Sequence, residues 1–424
     1  MGLIFVVMCG LFAVGIPIAW SMAISAGVFM TFVLGIPIEA LPHRIMGGLD
    51  SFPLLAIPFF IFAGNLMNTG GITRRLVNFS SVLVGHITGG LGHVVVVANM
   101  IMAGMSGSGI ADAAGTGAVL IPAMDQAGYP KRFAAAIVAA AATIGPIIPP
   151  SIPFVVYGSM ANVSIGRLLL AGAVPGCLMG LMLMIFNYVI SKKRNYQKEN
   201  RASLRDVAKS LVSALPPLGM PLIILGGIVG GIMTPTEAAS AGAAYALILG
   251  VFVYRELKVN DLWRIIRESV MGTAAVTIII AAASPMGWVL AYQRTPFTIA
   301  ALFQNAQLSP EMILLIINVV LLILGCLLEA MAILIMAIPV LMPLILSTGI
   351  DPVHFGVILT LSIMIATITP PVGTVMYVVC ALGKVSIIDF SKEIWPFLIA
   401  LILSLAIVTY VPAISLWLPN LLMP

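Results

Sequence analysis

Charge is scarce in this sequence. Only 8% of its 424 residues are Asp, Glu, Lys or Arg, whereas 61% are hydrophobic, and the mean hydropathy is +1.15. Soluble domains carry about 25% charged residues, so the composition excludes an ordinary soluble protein. Apolar runs of about 20 residues, the length that crosses a bilayer as a helix, recur along the whole chain. The sequence therefore predicts an all-α polytopic membrane protein in a lipid bilayer.

Side chains that hold metals or perform covalent chemistry are also sparse. The four cysteines lie apart in apolar segments without a CxxC pair, so they indicate neither a disulfide nor a metal framework. We find no His/Glu metal motif, nucleophile–base pair or cofactor loop. An enzyme acting within the membrane is therefore the weakest functional alternative, and the net charge of +5 does not indicate a nucleic-acid partner.

One polar stretch divides the chain near its middle. Residues 191–209 carry seven Lys or Arg against two acids, and the positive-inside rule predicts that such a loop is cytoplasmic. We therefore divide the chain into residues 1–191, a cytoplasmic loop 192–211, and residues 212–424.

The two halves resemble each other. A shift of 221 residues without gaps places the double proline Pro149-Pro150 on Pro370-Pro371. The same shift aligns four further pairs of glycines or prolines: Gly104 with Gly325, Pro122 with Pro343, Gly128 with Gly349, and Pro175 with Pro396. A common register of this kind indicates an internal repeat.

Each half contains a pair of short apolar arms, predicted within residues 91–125 and 312–347. Arms of roughly 14 to 16 residues at 1.5 Å per residue are marginal for crossing a core of about 30 Å, so we interpret each pair as a re-entrant hairpin. An amphipathic stretch precedes each hairpin, at 72–87 and 296–307. A proline-broken helix follows each one, at 131–161 and 353–382.

The topology follows from the number of predicted crossings in each half: three apolar spans, the proline-broken helix and one last span, with the re-entrant hairpin not counted. Each half then crosses the membrane five times, and because five is odd, the second half is inverted relative to the first. With the central loop in the cytoplasm, the N- and C-termini are predicted to be periplasmic. The cytoplasmic connections then contain 17 of the 20 basic residues, which supports the orientation. Only Arg44, Arg167 and Arg294 fall on the other side.

The two proline breaks read "IGPIIPPS" (144–151) and "TITPPVGT" (367–374). Irregular backbone is tolerated at membrane depth only where it is buried in protein or lines a wet cavity. Paired broken helices in inverted repeats are typical of secondary transporters, whose substrate and ion sites lie at the breaks. The alternative is that the prolines only kink packed helices, but a double proline at equivalent positions of both halves argues against it.

Three acids lie within apolar segments. Asp112 begins the second arm of the first hairpin, where it could serve a substrate or simply complement the helix dipole. Thr234 and Glu237 have the spacing of a capping box, so we expect a structural role for Glu237. For Glu329, in the second hairpin tip, a cap and an ion or substrate role remain open.

Four segments carry a resemblance to a known family. "MSGSGIADAAGTGAVLIPAM", "IGPIIPPSIPFVVYG", "GIMTPTEAASAGAAYAL" and "TPPVGTVMYV" resemble the DctM-type large membrane subunit of tripartite ATP-independent periplasmic (TRAP) transporters. The resemblance covers essentially the whole chain. It implies an elevator-type transporter of the bacterial inner membrane, in which sodium drives uptake of an organic anion, usually a carboxylate or sugar acid. The implied partners are a periplasmic binding protein and a small four-helix membrane subunit, here expected as a separate chain.

The resemblance also implies at least two coupling Na⁺ ions and a set of site residues. The first sodium site would use Ser106 and Ser108 with backbone oxygens around Gly145, Ile148 and Pro150. The second would use Gly325, Glu329, Ala366, Thr369 and Pro371. The substrate would contact Gly109, Asp112 and Thr374. Because the second tip, "GCLLEAM", contains no hydroxyl, its ligands would be carbonyl oxygens or Glu329.

Two transport alternatives remain open at this point. A stand-alone sodium/carboxylate symporter would need no binding protein, and transport by this chain alone would identify it. A passive channel would show flux that does not depend on a sodium gradient.

Overall fold

The computed structural model describes residues 2–69, 71–196, 198, 200–295, 298, 301 and 308–423, and every regular element in that part of the chain is helical. The first half contains α1 (Gly2–Ala13), α2 (Ile18–Val28), α3 (Ala40–Gly47), α4 (Ala56–Thr69), α5 (Ile72–Val84), α6 (Gly90–Ser106), α7 (Gly109–Gln126), α8 (Lys131–Ala142), α9 (Ile152–Ala161) and α10 (Ile165–Lys193).

The second half contains α11 (Leu204–Val229), α12 (Pro235–Ile248), α13 (Val259–Tyr292), α14 (Pro310–Gly325), α15 (Ala330–Ser347), α16 (Pro352–Ala366), α17 (Thr374–Gly383), α18 (Ile387–Tyr410) and α19 (Ala413–Leu422). The π turns Phe29–Val33 and Leu249–Val253 extend α2 and α12, the second long helix of each half, and the 3₁₀ turn Phe52–Leu55 precedes α4.

Seven of the described helical segments are long and apolar enough to cross a membrane: Phe52–Thr69, Ile165–Lys193, Leu204–Val229, Pro235–Val253, Asn260–Tyr292, Ala330–Ser347 and Ile387–Tyr410. The chain is therefore a polytopic membrane protein, as predicted. The number of crossings per half, the inversion and the re-entrant character of the arms remain predictions. The predicted amphipathic stretch 296–307 lies, apart from residues 298 and 301, outside the described residues.

Several helix bounds differ from the apolar spans that the sequence predicts, which include residues 2–18, 212–233, 270–291 and 394–417. α1 ends at Ala13, not near residue 18, because Gly15 adopts a left-handed φ of +91° and Pro17 follows; both end helices. α13 begins at Val259, eleven residues before the predicted apolar span. Its first turn is polar, and the carboxylate of Asp261 accepts the Lys258 amide at 3.2 Å, which stabilises a helix start outside the apolar segment.

The connections that the charge pattern placed in the cytoplasm contact one another through their described residues, which are here called the basic rim (residues 69, 71–90, 126–132, 191–196, 198, 200–210, 255–268 and 383–393). Glu393 joins three of them, because its buried carboxylate pairs with Arg132 and Arg194 at 2.9 Å each. Arg75 pairs with Glu256 at 2.6 Å. The side-chain amide of Asn187, in the last turns of α10, donates to the carbonyl of Gly89 at 3.2 Å. With this contact, all five connections are linked.

A second set of contacts joins the connections that the charge pattern placed on the periplasmic side. These contacts are Ser51 with Ser159 at 2.7 Å, Thr236 with the carbonyl of Phe52 at 3.2 Å, Tyr157 with the carbonyl of Pro352 at 2.7 Å, His354 with Ser415 at 2.6 Å, and Arg167 with Asn420 at 2.6 Å. These connections therefore contact one another, and their sidedness itself stays a prediction.

The core is deepest at the two broken helices. Every residue of α8 from Phe133 to Ala142 is buried, and so is every residue of α16 from Val353 to Ala366. Each helix then ends in an irregular segment (143–151 and 367–373), after which α9 or α17 continues. The first break is almost wholly buried, whereas Pro371 and Val372 of the second break are exposed. Irregular backbone at membrane depth must be buried in protein or line a wet cavity.

Candidate functional site

The first tip is the turn between α6 and α7, formed by Gly107 and Ser108. Gly107 has a left-handed φ of +59°, and a Cβ there would lie 2.8 Å from the carbonyl oxygen of Pro150. Only glycine meets both conditions without strain. The Ser108 side chain caps α7 by accepting the amide of Ala111 at 3.4 Å. The tip therefore lies directly against the first proline break.

Asp112 lies behind this tip, with none of its surface exposed. Ser106 Oγ donates to Asp112 Oδ1 at 2.5 Å. Asp112 Oδ2 has no hydrogen-bond partner among the described residues, and it faces Gly145, where any Cβ would collide with it. A buried carboxylate oxygen without a partner is costly, so this group is poised for a cation or a proton.

The first break is folded tightly on itself. Ser151 Oγ donates to the carbonyl of Pro146 at 2.5 Å and also accepts the amide of Phe154 at 3.3 Å. The Pro149–Pro150 peptide bond is cis. Ile148 packs its side chain against Gly176 of α10. The structure thus brings Ser106, Ser108, Gly145 and Pro150 to one place, whereas the Ile148 side chain points toward α10.

The second tip lies between Gly325, where α14 ends, and Glu329, the N-cap of α15. The Glu329 carboxylate accepts the amide of Ala332 at 2.9 Å, so its capping role is confirmed. Gly325 abuts Ala366 so closely that a Cβ at Gly325 would collide with the Ala366 methyl group. The end of α14 therefore lies against the end of α16.

The second break is held mainly by backbone groups. The carbonyl of Thr367 accepts the amide of Val375 at 3.1 Å, and Thr369 Oγ1 donates to the carbonyl of Ile365 at 2.9 Å. The Pro370–Pro371 peptide bond is cis, and Tyr377 donates to the carbonyl of Pro371 at 3.0 Å. Gly325, Ala366 and Thr369 therefore meet around the end of α16, with Pro371 two residues further along.

Both tips and both breaks line one cavity of about 510 Å³, here called the central cavity. The first turns of four helices contribute to its wall: α7 through Gly109, α9 through Ile152, α15 through Ala330 and α17 through Thr374. Each helix N-terminus carries a partial positive charge of about +0.5. Four of them around one volume favour an anion.

The charged side chains of the central cavity are acidic and therefore disfavour an anion. Glu268 and Glu329 line it, and no Lys or Arg does so among the described residues. An anion there would depend on backbone amides and on bound cations. Of the predicted substrate residues, Gly109 and Thr374 line the cavity, whereas Asp112 does not; its carboxylate faces the first break instead.

The sequence reasoning missed one wall of the central cavity. α4 contributes Gly64 and Asn65, and α13 contributes Glu268 and Gly272. Asn65 Nδ2 donates to Ser269 Oγ at 2.9 Å, which joins the two helices. The amide of Asn65 within an apolar span was the available signal for this wall. Both helices are the last long helix before the predicted hairpin of their half.

The chain was compared with known proteins. Residues 5–414 match the family model described as "Tripartite ATP-independent periplasmic transporter, DctM component". The sialic acid TRAP transporter large permease protein SiaM of Vibrio cholerae is 42% identical, over 97% of this chain and 96% of the relative. The C4-dicarboxylate TRAP transporter large permease protein DctM of Pseudomonas aeruginosa is 40% identical, over 90% of each chain.

Solved structures show the same fold at low sequence identity. The crystal structure of the YdaH transporter of Alcanivorax borkumensis superposes with a TM-score of 0.63 over 89% of each chain, at 15% identity. The matched family model and the relatives, which are permeases and not enzymes, extend over nearly the full length of the chain. The chain therefore belongs to the DctM family of tripartite ATP-independent periplasmic transporters.

Proposed function

We propose that this protein is the large membrane subunit of a sodium-coupled transporter, which imports an organic anion across the bacterial inner membrane. The observation that carries the proposal is the central cavity. Four helix N-termini line it, and each tip lies against a proline break. The helix ends favour a carboxylate or sugar acid, and the oxygen-rich tips favour a hard cation.

The first tip is the better candidate for an ion site. Ser106, Ser108, the carbonyl of Pro150 and the free oxygen of Asp112 form an oxygen-only set. Such a set is what Na⁺ binds. In this proposal Asp112 belongs with the ion and not with the substrate. At the second tip, backbone carbonyls near Gly325 and Ala366 are the proposed ligands, together with Thr369 Oγ1.

Bound sodium would also resolve the charge conflict of the central cavity. With Glu268 and Glu329 in its wall and no basic side chain among the described lining residues, an organic anion alone would meet carboxylates. One Na⁺ at each tip supplies positive charge next to the helix ends. Sodium and the anion then favour each other's binding, which is the thermodynamic requirement for symport.

Relatives indicate the class of substrate. Those at 37–42% identity are described as transporting sialic acid, isethionate, 2,3-diketo-L-gulonate or C4-dicarboxylates. We therefore propose an organic acid delivered by a periplasmic binding protein, with a separate small membrane subunit as partner. The basic rim would face the cytoplasm, both termini the periplasm, and the two halves would be inverted repeats that operate as an elevator.

The first test requires no substrate. The protein is purified with its small subunit, and its thermal midpoint is compared in NaCl and in equal KCl, because a ligand that binds only the folded state raises the midpoint. We expect a sodium-specific rise that shrinks in Ser108→Ala and Thr369→Ala. Ser404→Ala is the matched control for Thr369→Ala, because each hydroxyl donates to the carbonyl four residues earlier, at 2.9 Å in both.

Equal midpoints in both salts would contradict sodium binding. Reconstituted vesicles then separate the remaining alternatives. Uptake that requires the binding protein supports the TRAP assignment, uptake without it would identify a stand-alone symporter, and flux without a sodium gradient would identify a channel.

A further inference from the structure

A second large cavity, here called the basic cavity, opens at the basic rim. It has a volume of about 640 Å³ and lies between the end of α4, the start of α5 and the middle of α7. Its wall includes Asn68, Arg74, Arg75, Asn78 and Glu256. It shares no lining residue with the central cavity, so it is a separate volume.

The two arginines of the basic cavity differ in their contacts. Arg75 already has partners: it pairs with Glu256 at 2.6 Å and stacks 4.0 Å above the ring centre of Tyr254. Arg74 is exposed, and it has no ion pair or hydrogen bond within the described part of the chain. Since Glu256 is already matched by Arg75, the guanidinium of Arg74 leaves the cavity with an uncompensated positive charge.

A narrow neck lies between the two cavities. It has a volume of about 10 Å³ and shares Gly64 and Ser106 with the central cavity, and Asn68 and Thr73 with the basic cavity. A volume of about 10–15 Å³ holds a single water, so the neck is closed to an organic acid here. The three volumes nevertheless follow one another from the tips to the basic rim.

The two ends of this path have opposite side-chain charge. The central cavity has two carboxylates and no basic side chain among its described lining residues, whereas the basic cavity has two guanidiniums and one carboxylate. Guanidinium groups bind carboxylates and sulfonates through paired, charge-assisted hydrogen bonds. The side-chain amides of Asn68 and Asn78 add neutral donors beside Arg74.

We propose that the basic cavity is a second anion site, at which an organic acid that has left the central cavity binds to Arg74 before it enters the water at the basic rim. This inference rests on the proposed transport of an organic anion. An anion would move from a place where only helix ends and bound cations hold it to a place with a free guanidinium, which favours exit and disfavours return.

The test measures occupancy of the basic cavity directly. The four native cysteines are replaced, and Ala118→Cys, an exposed lining position on α7, reports accessibility to N-ethylmaleimide. The protein is kept in detergent with its small subunit and without sodium. Choline succinate is compared with choline chloride at equal ionic strength, and Val119→Cys, also in the lining, serves as a second reporter.

We expect succinate to slow labelling about threefold or more, the factor for a site about two-thirds filled. Arg74→Gln should remove this protection. Arg205→Gln, which removes one exposed charge from the same rim outside the cavity, should retain it. Unchanged labelling in succinate at both reporters, or protection that survives Arg74→Gln, would overturn the proposal.

A further arm distinguishes an organic-acid site from a lipid site. Protection by added phosphatidylglycerol but not by succinate would identify a lipid headgroup site and overturn the organic-acid site. Because labelling requires neither sodium nor transport, the two proposals fail separately. Sodium-specific stabilisation without succinate protection removes only the second site, whereas protection without sodium stabilisation removes only the coupling.

Discussion

The two tips occupy equivalent places in the two halves but use different chemistry. The first tip has two serines, a left-handed glycine and the buried carboxylate of Asp112 behind it. The second has no hydroxyl, and its one carboxylate, that of Glu329, already accepts a backbone amide. A similar backbone break therefore supports a side-chain-rich site in one half and a carbonyl-rich site in the other.

The two breaks that face the tips also differ: the first is held by side-chain hydrogen bonds, and the second is not capped by a side chain. Ser151 ties the first break together by contacting both Pro146 and Phe154, and the break is almost wholly buried. At the equivalent position the second break has Val372, which is exposed. The N-cap of α17 is Gly373, so this helix has no side-chain cap. The first break is therefore the more tightly tied, and the second break is the more exposed.

The largest expected effect concerns the contact between Gly325 and Ala366. Gly325→Ala adds a methyl group that collides with Ala366, and we expect a loss of about 1–3 kcal/mol in unfolding free energy, the usual cost of overpacking. Gly104→Ala, at the equivalent position of the first half, meets Pro221 Cγ only at 3.0 Å and should cost less. Thermal midpoints of the two variants measure the difference.

The double variant Gly325→Ala/Ala366→Gly tests the cause, because it removes the methyl group that the new Cβ meets. Its midpoint should return toward that of the parent. Equal losses at Gly104 and Gly325, or no recovery in the double variant, would contradict the asymmetry.

The second prediction concerns the charge behind the first tip. Asp112→Asn keeps an oxygen that can accept from Ser106 but removes the negative charge next to Gly145. We expect sodium affinity, measured by titration of the thermal midpoint, to fall about tenfold or more, equivalent to about 1.4 kcal/mol. An unchanged sodium dependence would exclude Asp112 from the ion site and leave it a structural partner of Ser106.

The third prediction concerns the tie in the first break. Ser151→Ala removes the cap of α9 and the hydrogen bond to the carbonyl of Pro146. Loss of such a cap costs about 1 kcal/mol, so the thermal midpoint should fall measurably. Val372→Ala is the matched variant of the second break and should change it less. A larger loss at Val372 would show that the second break is the better packed of the two.

The smallest effect is expected at Glu329. Glu329→Gln retains an oxygen that can accept the amide of Ala332, so α15 stays capped and sodium affinity should change by less than about threefold. If sodium affinity instead falls about tenfold, as predicted for Asp112→Asn, the Glu329 carboxylate is an ion ligand and the two tips are chemically closer than their sequences indicate.

Much of the fold could be predicted from local sequence signals. The capping box of Thr234 and Glu237 is confirmed, with the Glu237 carboxylate 2.7 Å from the Thr234 amide. The segment between Ser106 and Gly109 interrupts the helix where the glycines predicted a tip. These features depend on residues close together in sequence, so the chain alone specifies them.

The site was less predictable because it depends on helix rotation and on distant packing. The direction of the Asp112 carboxylate, toward Gly145 and away from the central cavity, is set by how α7 packs on α8 and the break that follows it. The wall formed by α4 and α13 requires the Asn65–Ser269 contact between residues in different halves. No local pattern encodes such contacts.

The shared carboxylate of Glu393 has a consequence for how the protein is made. Arg132 and Arg194 leave the ribosome long before their partner, since the roughly 200 residues between Arg194 and Glu393 take about 10 to 40 s to synthesise. During that interval the first half lacks α18, whose Glu393 pairs with both arginines at 2.9 Å. The halves resemble each other in sequence, yet the first can complete its structure only after the second has been synthesised.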